Sequence, residues 1–320
     1  MRILVTGAAG FIGSALCQQL VLSNHNVTAV DNFSDYYDVS LKRLRVKELL
    51  NPVNLEVLNL DICDQAKVEE IIVSSRPEAV IHLAAQAGVR LGVRDSRKYV
   101  DSNLVGFSNV LISTIENKIP RFLYASSSSV YGDKADIPYR ESELNLHPNS
   151  FYGSTKLANE LLVPTLVKNS ETIARGLRFF TVYGPWGRLD MAPYLFAKKM
   201  RSQQAIQLFG EGVLKRDFTY IGDTVFAIAR LIQNGISQTQ ADVVNIGHSN
   251  PVQVNDFVQT LADCMNIKPS IELLPMQVSD VPLTCASDDK LRKMIGEWPH
   301  TSLSDGLSEM VQWLEKWNPV

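Results

Sequence analysis

The chain has 320 residues, a formal net charge of −3 and a hydrophobic fraction of 45%, which are typical of a globular protein with one large core or two lobes. Because it has no basic excess and no basic run, the composition excludes a nucleic-acid-binding protein and gives no reason to expect binding to an anionic membrane. The first predicted strand starts at Arg2 and no apolar run approaches roughly 18 residues, so we expect a cytoplasmic protein without a signal peptide or membrane span. The four cysteines lack paired spacing and the five histidines are scattered, which predicts reduced thiols and no metal site.

In the first half of the chain, short apolar segments alternate with helical patterns. The predicted strands are Arg2–Thr6, Asn26–Asp31, Leu55–Asn59, Ala79–Leu83, Arg121–Ser126 and Ile173–Phe179. The predicted helices are Gly13–Leu22, Leu41–Leu50, Gln65–Ser74, Val105–Asn117 and Gly153–Lys168. This alternation predicts an α/β fold, a doubly wound parallel Rossmann sheet. Pro164 should kink or split the last helix because it lacks a backbone N–H group.

After Phe180 the sequence changes to loops rich in Gly and Pro. The elements predicted there are the strands Ile206–Phe209, Asp217–Tyr220 and Asp242–Ile246 and the helix Thr224–Gln233. The helix Thr224–Gln233 and the strand Asp242–Ile246 fit the α/β pattern of the first half again, so we predict that the second lobe is not contiguous in sequence. We therefore predict a Rossmann domain at 1–180, to which 224–250 returns, and a smaller C-terminal substrate-binding domain at 181–320.

The C-terminal segment Ser304–Trp317 has an apolar stripe with the spacing of an amphipathic helix. The stripe consists of Leu307, Val311, Leu314 and Trp317. A stripe of this kind packs into a core more often than it binds a partner, so we expect core packing.

A glycine motif follows the first predicted strand and opens the first predicted helix. Gly7, Gly10 and Gly13 would let the backbone approach a pyrophosphate, whose charge lies at the helix N-terminus. Asp31 ends the second strand, and its carboxylate can bind both hydroxyls of an adenosine ribose and repel a 2′-phosphate. Since no arginine follows Asp31 immediately, the pattern favours NAD over NADP. Further cofactor-binding positions predicted are Phe11, Ile12, Asn32, Asp61, Ile62, Leu83, Ala84 and Ala85, with a helix N-cap as the alternative for Asp61.

Tyr152 and Lys156 are four residues apart and share one face of a predicted helix. An ammonium group beside an oxidised nicotinamide would lower the pKa of the phenol from about 10 towards neutrality. The phenolate could then take a proton from a sugar or alcohol hydroxyl while the cofactor takes the hydride. A serine of Ser126–Ser129, at the end of the fifth strand, can share that proton. Three other tyrosines are weaker candidates because no lysine follows four residues on: Tyr124, Tyr131 and Tyr183.

The chain resembles the extended short-chain dehydrogenase/reductase family over essentially its full length, and within that family it is most similar to UDP-glucuronate 4-epimerases. The motifs are GAAGFIG (7–13), DNFSDYYDVSLK (31–42), HLAAQAGVR (82–90), SSSSVYG (126–132), YGSTK (152–156), LRFFTVYGPWGR (177–188), KRDFTYIGD (215–223) and PMQVSDVP (275–282). The glycine and YxxxK motifs mark only the superfamily. The segments at 31–42, 126–132 and 177–188 resemble the glucuronate epimerase subgroup in particular.

The resemblance implies roles for the matching positions. Ser127 would be the hydroxyl partner of Tyr152, and Asn103 would line the cofactor site. From the Tyr152–Lys156 pair itself, we expect Lys156 also to donate to the nicotinamide ribose. The substrate-binding positions implied are Ser127, Ser128, Thr181, Arg188, Phe209, Arg216, Gln277 and Asp280.

Four of these substrate positions bear on which sugar is bound. Arg216 would bind the UDP diphosphate, while Thr181 and Arg188 would face the sugar, where a C6 carboxylate must lie. Galactose-type epimerases usually carry asparagine at the position of Thr181 and arginine at that of Gln277. Both differences imply the uronate subgroup.

The serine loop also bears on the reaction. Related 4,6-dehydratases carry an Asp-Glu pair at the positions of Ser128 and Ser129, and without those carboxylates the reaction should stop at C4. The resemblance therefore implies an NAD-dependent homodimeric 4-epimerase that interconverts UDP-glucuronate and UDP-galacturonate. The alternatives are a 4-epimerase of a neutral UDP-hexose or UDP-N-acetylhexosamine, or a non-catalytic NAD-binding regulator.

Overall fold

The computed structural model describes residues 1–88, 96–234, 239–276 and 281–317. The strands are β1 (Arg2–Thr6), β2 (Asn26–Asp31), β3 (Val57–Asn59), β4 (Ala79–His82), β5 (Arg121–Ser127), β6 (Ile173–Phe179), β7 (Thr181–Tyr183), β8 (Ile206–Phe209), β9 (Lys215–Tyr220), β10 (Ala241–Ile246), β11 (Pro251–Gln253) and β12 (Ile271–Leu274). The helices are α1 (Phe11–Leu22), α2 (Val39–Arg45), α3 (Gln65–Ser75), α4 (Ser96–Tyr99), α5 (Phe107–Glu116), α6 (Phe151–Val167), α7 (Ala192–Arg201), α8 (Ile221–Asn234), α9 (Val254–Met265), α10 (Asp289–Ile295) and α11 (Leu303–Trp317). Two π-helical segments, Val46–Leu50 and Val100–Gly106, continue α2 and join α4 to α5.

In the described residues, seven parallel strands form one sheet in the order β10-β6-β5-β4-β1-β2-β3. The predicted parallel sheet is confirmed. Strand β10, which lies late in the chain, pairs with β6 along its whole length, from Ala241 opposite Ala174 to Ile246 opposite Phe179. The chain therefore returns to this sheet after building part of the second lobe.

Helices cover both faces of the large sheet. Along β1, Ile3 and Val5 pack into one hydrophobic cluster with residues of α1, while Leu4 packs into another with residues of α3 and α5. Successive side chains of a strand point to opposite faces, so a strand buried on both sides is apolar throughout. This explains why the first-half strands are rich in apolar residues; the two arginines of β6 are buried in ion pairs, Arg175 with Asp242 and Arg178 with Glu160.

Within the part of the second lobe that the structure describes there are two small sheets, one with the order β11-β9-β7 and one that pairs β12 with β8. The C-terminal helix α11 packs against α9, and Leu307, Val311 and Leu314 are buried in the same cluster as the core of the lobe. Trp317 is partly buried against that cluster. The expectation that the α11 stripe belongs to the core is confirmed.

Several local expectations were wrong. Helix α6 is not split at Pro164 but continues to Val167, because the proline falls in the last turn and removes a single backbone hydrogen bond; the alternative of a kink at Pro164 stays a prediction. The segment that we expected to be loop after Phe180 contains strand β7 and leads into helix α7.

Among the described residues, no helix is both long and apolar enough to cross a lipid bilayer.

Candidate active site

One large cavity of about 1500 Å³ opens at the C-terminal ends of the parallel strands, where the loops after β1, β2, β4, β5 and β6 converge. Its other wall comes from the second lobe, through β8 and β9 and the segment that leads into α7. Open parallel sheets place their ligands at this edge. The predicted site residues that line the cavity are Gly7, Gly10, Phe11, Ile12, Gly13, Asp31, Asn32, Asp61, Ile62, Leu83, Ala84, Ala85, Ser127, Ser128, Tyr152, Lys156, Thr181, Arg188, Phe209 and Arg216.

The glycine loop at one end of the cavity has the geometry that the motif predicts. Gly7 has a φ of +75°, and a Cβ there would lie 2.7 Å from the backbone nitrogen of Ala84. A Cβ on Gly13 would lie 2.0 Å from the carbonyl oxygen of Gly7. Only glycine fits these two positions, and the resulting loop leaves the N-terminus of α1 open towards the cavity without a side-chain cap.

Asp31 lies at the end of β2 with its carboxylate buried. Its Oδ2 accepts a hydrogen bond from the backbone of Ala9, and its Oδ1 accepts one from the backbone of Phe33. The Lys42 ammonium group is 3.4 Å from Oδ1. Sequence reasoning missed Lys42 because it examined only the residues that directly follow Asp31. Helix α2 carries this lysine back to the end of β2.

Asp61 lies on the cavity wall, where its Oδ2 accepts a hydrogen bond from Asn32 Nδ2. Its Oδ1 accepts the backbone N–H of Cys63. The residue that caps α3 is Asp64, whose side chain accepts the N–H of Lys67. The alternative interpretation of Asp61 as the helix cap is therefore wrong, and the side chains of Asp61 and Asn32 form one polar edge of the cavity.

Tyr152 and Lys156 lie on the face of α6 that points towards the end of β5. The Lys156 ammonium group lies 5.8 Å from the centre of the Tyr152 ring and donates a hydrogen bond of 2.9 Å to the carbonyl oxygen of Ala125. The Ser127 hydroxyl is 3.1 Å from the Ser129 hydroxyl and accepts the Ser129 backbone N–H. The spacing predicted from sequence thus brings a phenol, an ammonium group and a hydroxyl into one corner of the cavity.

The pKa values of this corner are set mainly by burial. Burial raises the pKa of Tyr152 above its usual value of 10, although the charge of Arg188 and a hydrogen bond with Ser127 act to lower it. Burial also lowers the pKa of Lys156 to about 8. The lowered phenol pKa that we expected is therefore not a property of the protein's own groups, because their charges do not outweigh the burial.

The rival tyrosines are buried away from the cavity. Tyr124 is stacked among aromatic rings of the sheet core, and Tyr131 donates its hydroxyl proton to Asn245 Oδ1. Tyr183 packs edge-on against Tyr220. None of the three lines the cavity, whereas Tyr152 does.

A buried ionic network fixes the serine end of β5 to α6. Glu160 lies one helical turn after Lys156 and accepts a hydrogen bond from Ser126 at 2.5 Å. Its two carboxylate oxygens also bind Arg178 of β6, at 3.0 and 2.7 Å. Because β5, β6 and α6 are tied together at this point, Ser127 and Tyr152 are held in fixed relative positions.

Asn103 does not line the cavity. Its side chain is buried between the loop after β4 and helix α6, where it accepts the N–H of Gln86 and donates to the carbonyl oxygen of Gln86 and to Thr155 Oγ1. Its contact with a cofactor would therefore be indirect, through the Gln86 loop that forms the cavity wall. The resemblance implied that Asn103 lines the cofactor site, whereas its side chain lies behind the wall of the cavity.

At the far end of the cavity, Thr181, Arg188, Phe209 and Arg216 form the wall beyond Tyr152. Gln277 and Asp280, which were also predicted to bind substrate, lie outside the described residues. Arg188 forms a bidentate ion pair with Asp190, with contacts of 3.0 and 2.5 Å. Tyr36, whose ring lies 5.3 Å from the guanidinium carbon, covers the other side of Arg188. Sequence reasoning missed both partners.

Comparison with known proteins places the chain in a family. It belongs to the NAD dependent epimerase/dehydratase family, whose sequence pattern matches residues 3–247. The chain is 40% identical to Protein CapI of Staphylococcus aureus, over 98% of each protein. It is 36% identical to a probable UDP-glucuronate 4-epimerase of Rhizobium meliloti, over 99% of this chain and 97% of that one.

A solved structure is also similar over the whole chain. The UDP-glucuronic acid 4-epimerase of Bacillus cereus, in complex with UDP-glucuronic acid and NAD, superposes with a TM-score of 0.89 at 32% identity and covers 99% of both chains. The doubly wound fold and the small C-terminal lobe are therefore those of a sugar-nucleotide epimerase.

Proposed function

We propose that this protein is an NAD-dependent UDP-glucuronate 4-epimerase that interconverts UDP-glucuronate and UDP-galacturonate. The observation that carries the proposal is the single cavity in which the glycine loop, the Tyr152–Lys156–Ser127 corner and Arg188 are brought together. The uronate epimerase relatives, which match over nearly the full chain, support the same activity. The activity is that of an isomerase.

The glycine loop, Asp31 and the Asn32–Asp61 edge would hold NAD. The close approach of Gly7 to Ala84 and the uncapped N-terminus of α1 fit a pyrophosphate, and the buried carboxylate of Asp31 fits the two hydroxyls of a ribose. NAD would supply the acceptor for the hydride that leaves C4 of the sugar and would return the same hydride. An oxidised nicotinamide would also add the positive charge needed to lower the pKa of Tyr152.

Tyr152 is the proposed base that takes the proton from the sugar O4, with the Ser127 hydroxyl sharing it. Lys156 is charged below its pKa of about 8 and would favour the phenolate there. After oxidation at C4, the 4-keto sugar turns about its bond to the diphosphate and presents its opposite face. Tyr152 then returns the proton to O4 as the hydride comes back, which completes the inversion.

The uronate presents a chemical difficulty at this step. The 4-keto intermediate is a β-keto acid, which loses CO2 when the bond to the carboxylate lies parallel to the carbonyl π orbital. The active site must therefore keep the carboxylate out of that alignment. Thr181, Arg188 and the serine loop are the groups that we assign to this task, since all of them line the cavity that contains Tyr152.

Two other functions remain as alternatives. A neutral UDP-hexose or UDP-N-acetylhexosamine would use the same Tyr152 chemistry, but it would offer Arg188 no carboxylate besides that of Asp190. A non-catalytic NAD-binding regulator would not require Ser127, Tyr152 and Lys156 to be brought together. Product analysis with each UDP-sugar separates the first alternative, and failure to convert all of them would support the second.

We propose that the domains divide the work, with 1–180 and 224–250 holding NAD and the remainder of 181–320 holding the UDP-sugar. Phe209 would pack near the uracil and Arg216 would bind the diphosphate. For Gln277 and Asp280 the roles near the diphosphate and the uridine ribose rest on sequence resemblance.

The four cysteines are unpaired, which supports a reducing, cytoplasmic location.

We further propose that the enzyme is a homodimer. Helices α5 and α6, with the π-helical segment before α5, carry exposed apolar side chains at Val105, Ile112, Leu161, Leu162 and Leu166. Exposed apolar side chains concentrated on neighbouring helices are typical of an interface. Leu161→Asp should shift the mass measured by light scattering towards the monomer, whereas Leu144→Asp, a change at an exposed leucine outside these helices, should not. An unchanged mass for the Leu161 variant would refute this interface.

The experiment that tests the proposed function compares sugars and identifies the bound cofactor. Denaturing the purified protein should release NAD, and the unmodified enzyme should convert UDP-glucuronate faster than UDP-glucose. Release of mainly NADP would overturn the cofactor assignment. Faster conversion of UDP-glucose would overturn the substrate assignment.

A further inference from the structure

Arg188 is already paired with a carboxylate of its own chain. Its Nε donates to Asp190 Oδ1 at 3.0 Å and its Nη2 donates to Asp190 Oδ2 at 2.5 Å, which makes the pair bidentate. The Arg188 side chain is 17% exposed and that of Asp190 is 37% exposed, so the carboxylate remains more accessible than the guanidinium group. Both residues line the cavity.

Tyr36 holds Arg188 from a second side. Its ring lies under the guanidinium group, and its hydroxyl is 3.5 Å from Nη2. Burial raises the pKa of Tyr36, the charge of Arg188 acts to lower it, and the charge of Asp190 and a hydrogen bond with Asp190 act to raise it. The loop after β2 and the segment before α7 thus hold the guanidinium group in one direction. A planar group held by a stacked ring and a bidentate acid has little freedom to turn.

The pairing determines how much charge Arg188 offers to a ligand. Asp190 neutralises the guanidinium group, and a second carboxylate that approaches it must either displace Asp190 or share the group with it. Sharing places two negative charges close together, which disfavours tight binding. A neutral sugar would not be affected by this competition.

We propose that Asp190 is a positioning residue that orients Arg188 in the cavity and competes with the sugar carboxylate for the guanidinium group. This competition lets the carboxylate of the uronate leave Arg188 during turnover. This inference rests on the proposed function. During each turnover the 4-keto sugar must release its contacts, turn and bind again through its other face. An arginine without a competing acid would hold the sugar carboxylate too long in one orientation. Asp190 instead re-forms its ion pair with Arg188, which releases the sugar carboxylate.

The test uses Asp190→Asn, which keeps the size of the side chain and an acceptor oxygen for Arg188 but removes the charge. With UDP-glucuronate, KM should fall about tenfold and kcat should fall several-fold, because the carboxylate is bound more tightly and released more slowly. With UDP-glucose, both constants should stay within about twofold of those of the unmodified enzyme. Asp190→Glu keeps the charge and should restore the KM for UDP-glucuronate.

A second variant isolates the electrostatic contribution. Arg188→Ala leaves Asp190 unpaired beside the incoming carboxylate, so the double variant Arg188→Ala/Asp190→Asn should have a KM for UDP-glucuronate about fivefold lower than that of Arg188→Ala alone. If Asp190 serves only the fold, the double variant should be worse. This comparison still decides the matter if Asp190→Asn alone fails to fold. Asp136→Asn, a change at an exposed aspartate away from the cavity, is the matched control and should not alter the kinetics.

Three results would overturn the inference. Equal increases of KM on both sugars would show that Asp190 serves the nucleotide or the fold. Unchanged kinetics in Asp190→Asn would show that it does not restrain Arg188, and a double variant no better than Arg188→Ala would show that the Asp190 charge does not oppose the sugar carboxylate. Each of these leaves the proposed function intact as long as the unmodified enzyme converts UDP-glucuronate, and loss of that conversion would count against the function instead.

Discussion

Replacing Arg188 by alanine tests how the active site recognises the sugar carboxylate. A hydrogen bond to a charged group contributes about 1.5–3 kcal/mol, which corresponds to a loss of about 10- to 150-fold in kcat/KM. Arg188 is only 17% exposed, so solvent screens its charge little. The variant also leaves Asp190 unpaired near the uronate. We therefore expect a loss with UDP-glucuronate towards the upper end of this range.

The prediction concerns a difference between two sugars, so the assay measures kcat/KM for UDP-glucuronate and UDP-glucose side by side. UDP-glucose has no charge at C6, and its weak turnover should barely change. Release of labelled CO2 from UDP-glucuronate should rise, because the carboxylate is freer to rotate into the cleavage geometry. Lys134→Ala removes an exposed cation outside the cavity and should leave both sugars unaffected. Equal losses on both sugars would refute the reasoning, since Arg188 would then serve the nucleotide or the fold.

Three further predictions concern the base, its neighbour and the core. Tyr152→Phe should retain the fold and bound NAD but lose turnover by several powers of ten, and near-normal rates would transfer the role of base to another group. Lys156→Met removes a positive charge near the phenol, so its residual activity should appear only at higher pH. Because the pKa of Lys156 is about 8, the ratio of the unmodified enzyme's activity to that of the variant should fall above that pH. A ratio that does not change with pH would contradict this role. Leu314→Ala should lower the free energy of unfolding by about 2–5 kcal/mol in denaturant titrations, because the side chain is fully buried in α11, and a change below about 1 kcal/mol would contradict its place in the core.

The first-half strands and the Tyr152–Lys156 pair could be predicted because each rests on local sequence pattern. Strands β1, β2 and β6 begin and end at the expected residues, since strands buried on both faces are rich in apolar residues. Helix α9 was missed although Phe257, Val258, Leu261 and Ala262 carry a clear helical period. Strand β7 has only three residues within a Gly/Pro-rich segment, which is too short for a period to appear.

The partners of the functional groups could not be read from spacing. Tyr36 and Arg188 are 152 residues apart, and only the packing of the two lobes brings them together. Asn103 binds Thr155 across 52 residues, which places it behind the cavity wall rather than on it. The pKa of Tyr152 was expected to fall beside Lys156 and an oxidised nicotinamide, but the local pattern contained no information on burial, which raises the pKa that the protein's own groups set. Sequence identifies reactive groups, while their pairing and desolvation depend on tertiary structure.

The most direct test of the account is an NMR experiment in which UDP-glucuronate is incubated with the purified enzyme and no added cofactor. If Tyr152 and a permanently held NAD carry out a closed oxidation and reduction at C4, signals of UDP-galacturonate should appear and approach a constant ratio to those of UDP-glucuronate. No free NADH should accumulate. Failure to form UDP-galacturonate, or a strict requirement for added NADP, would contradict the account.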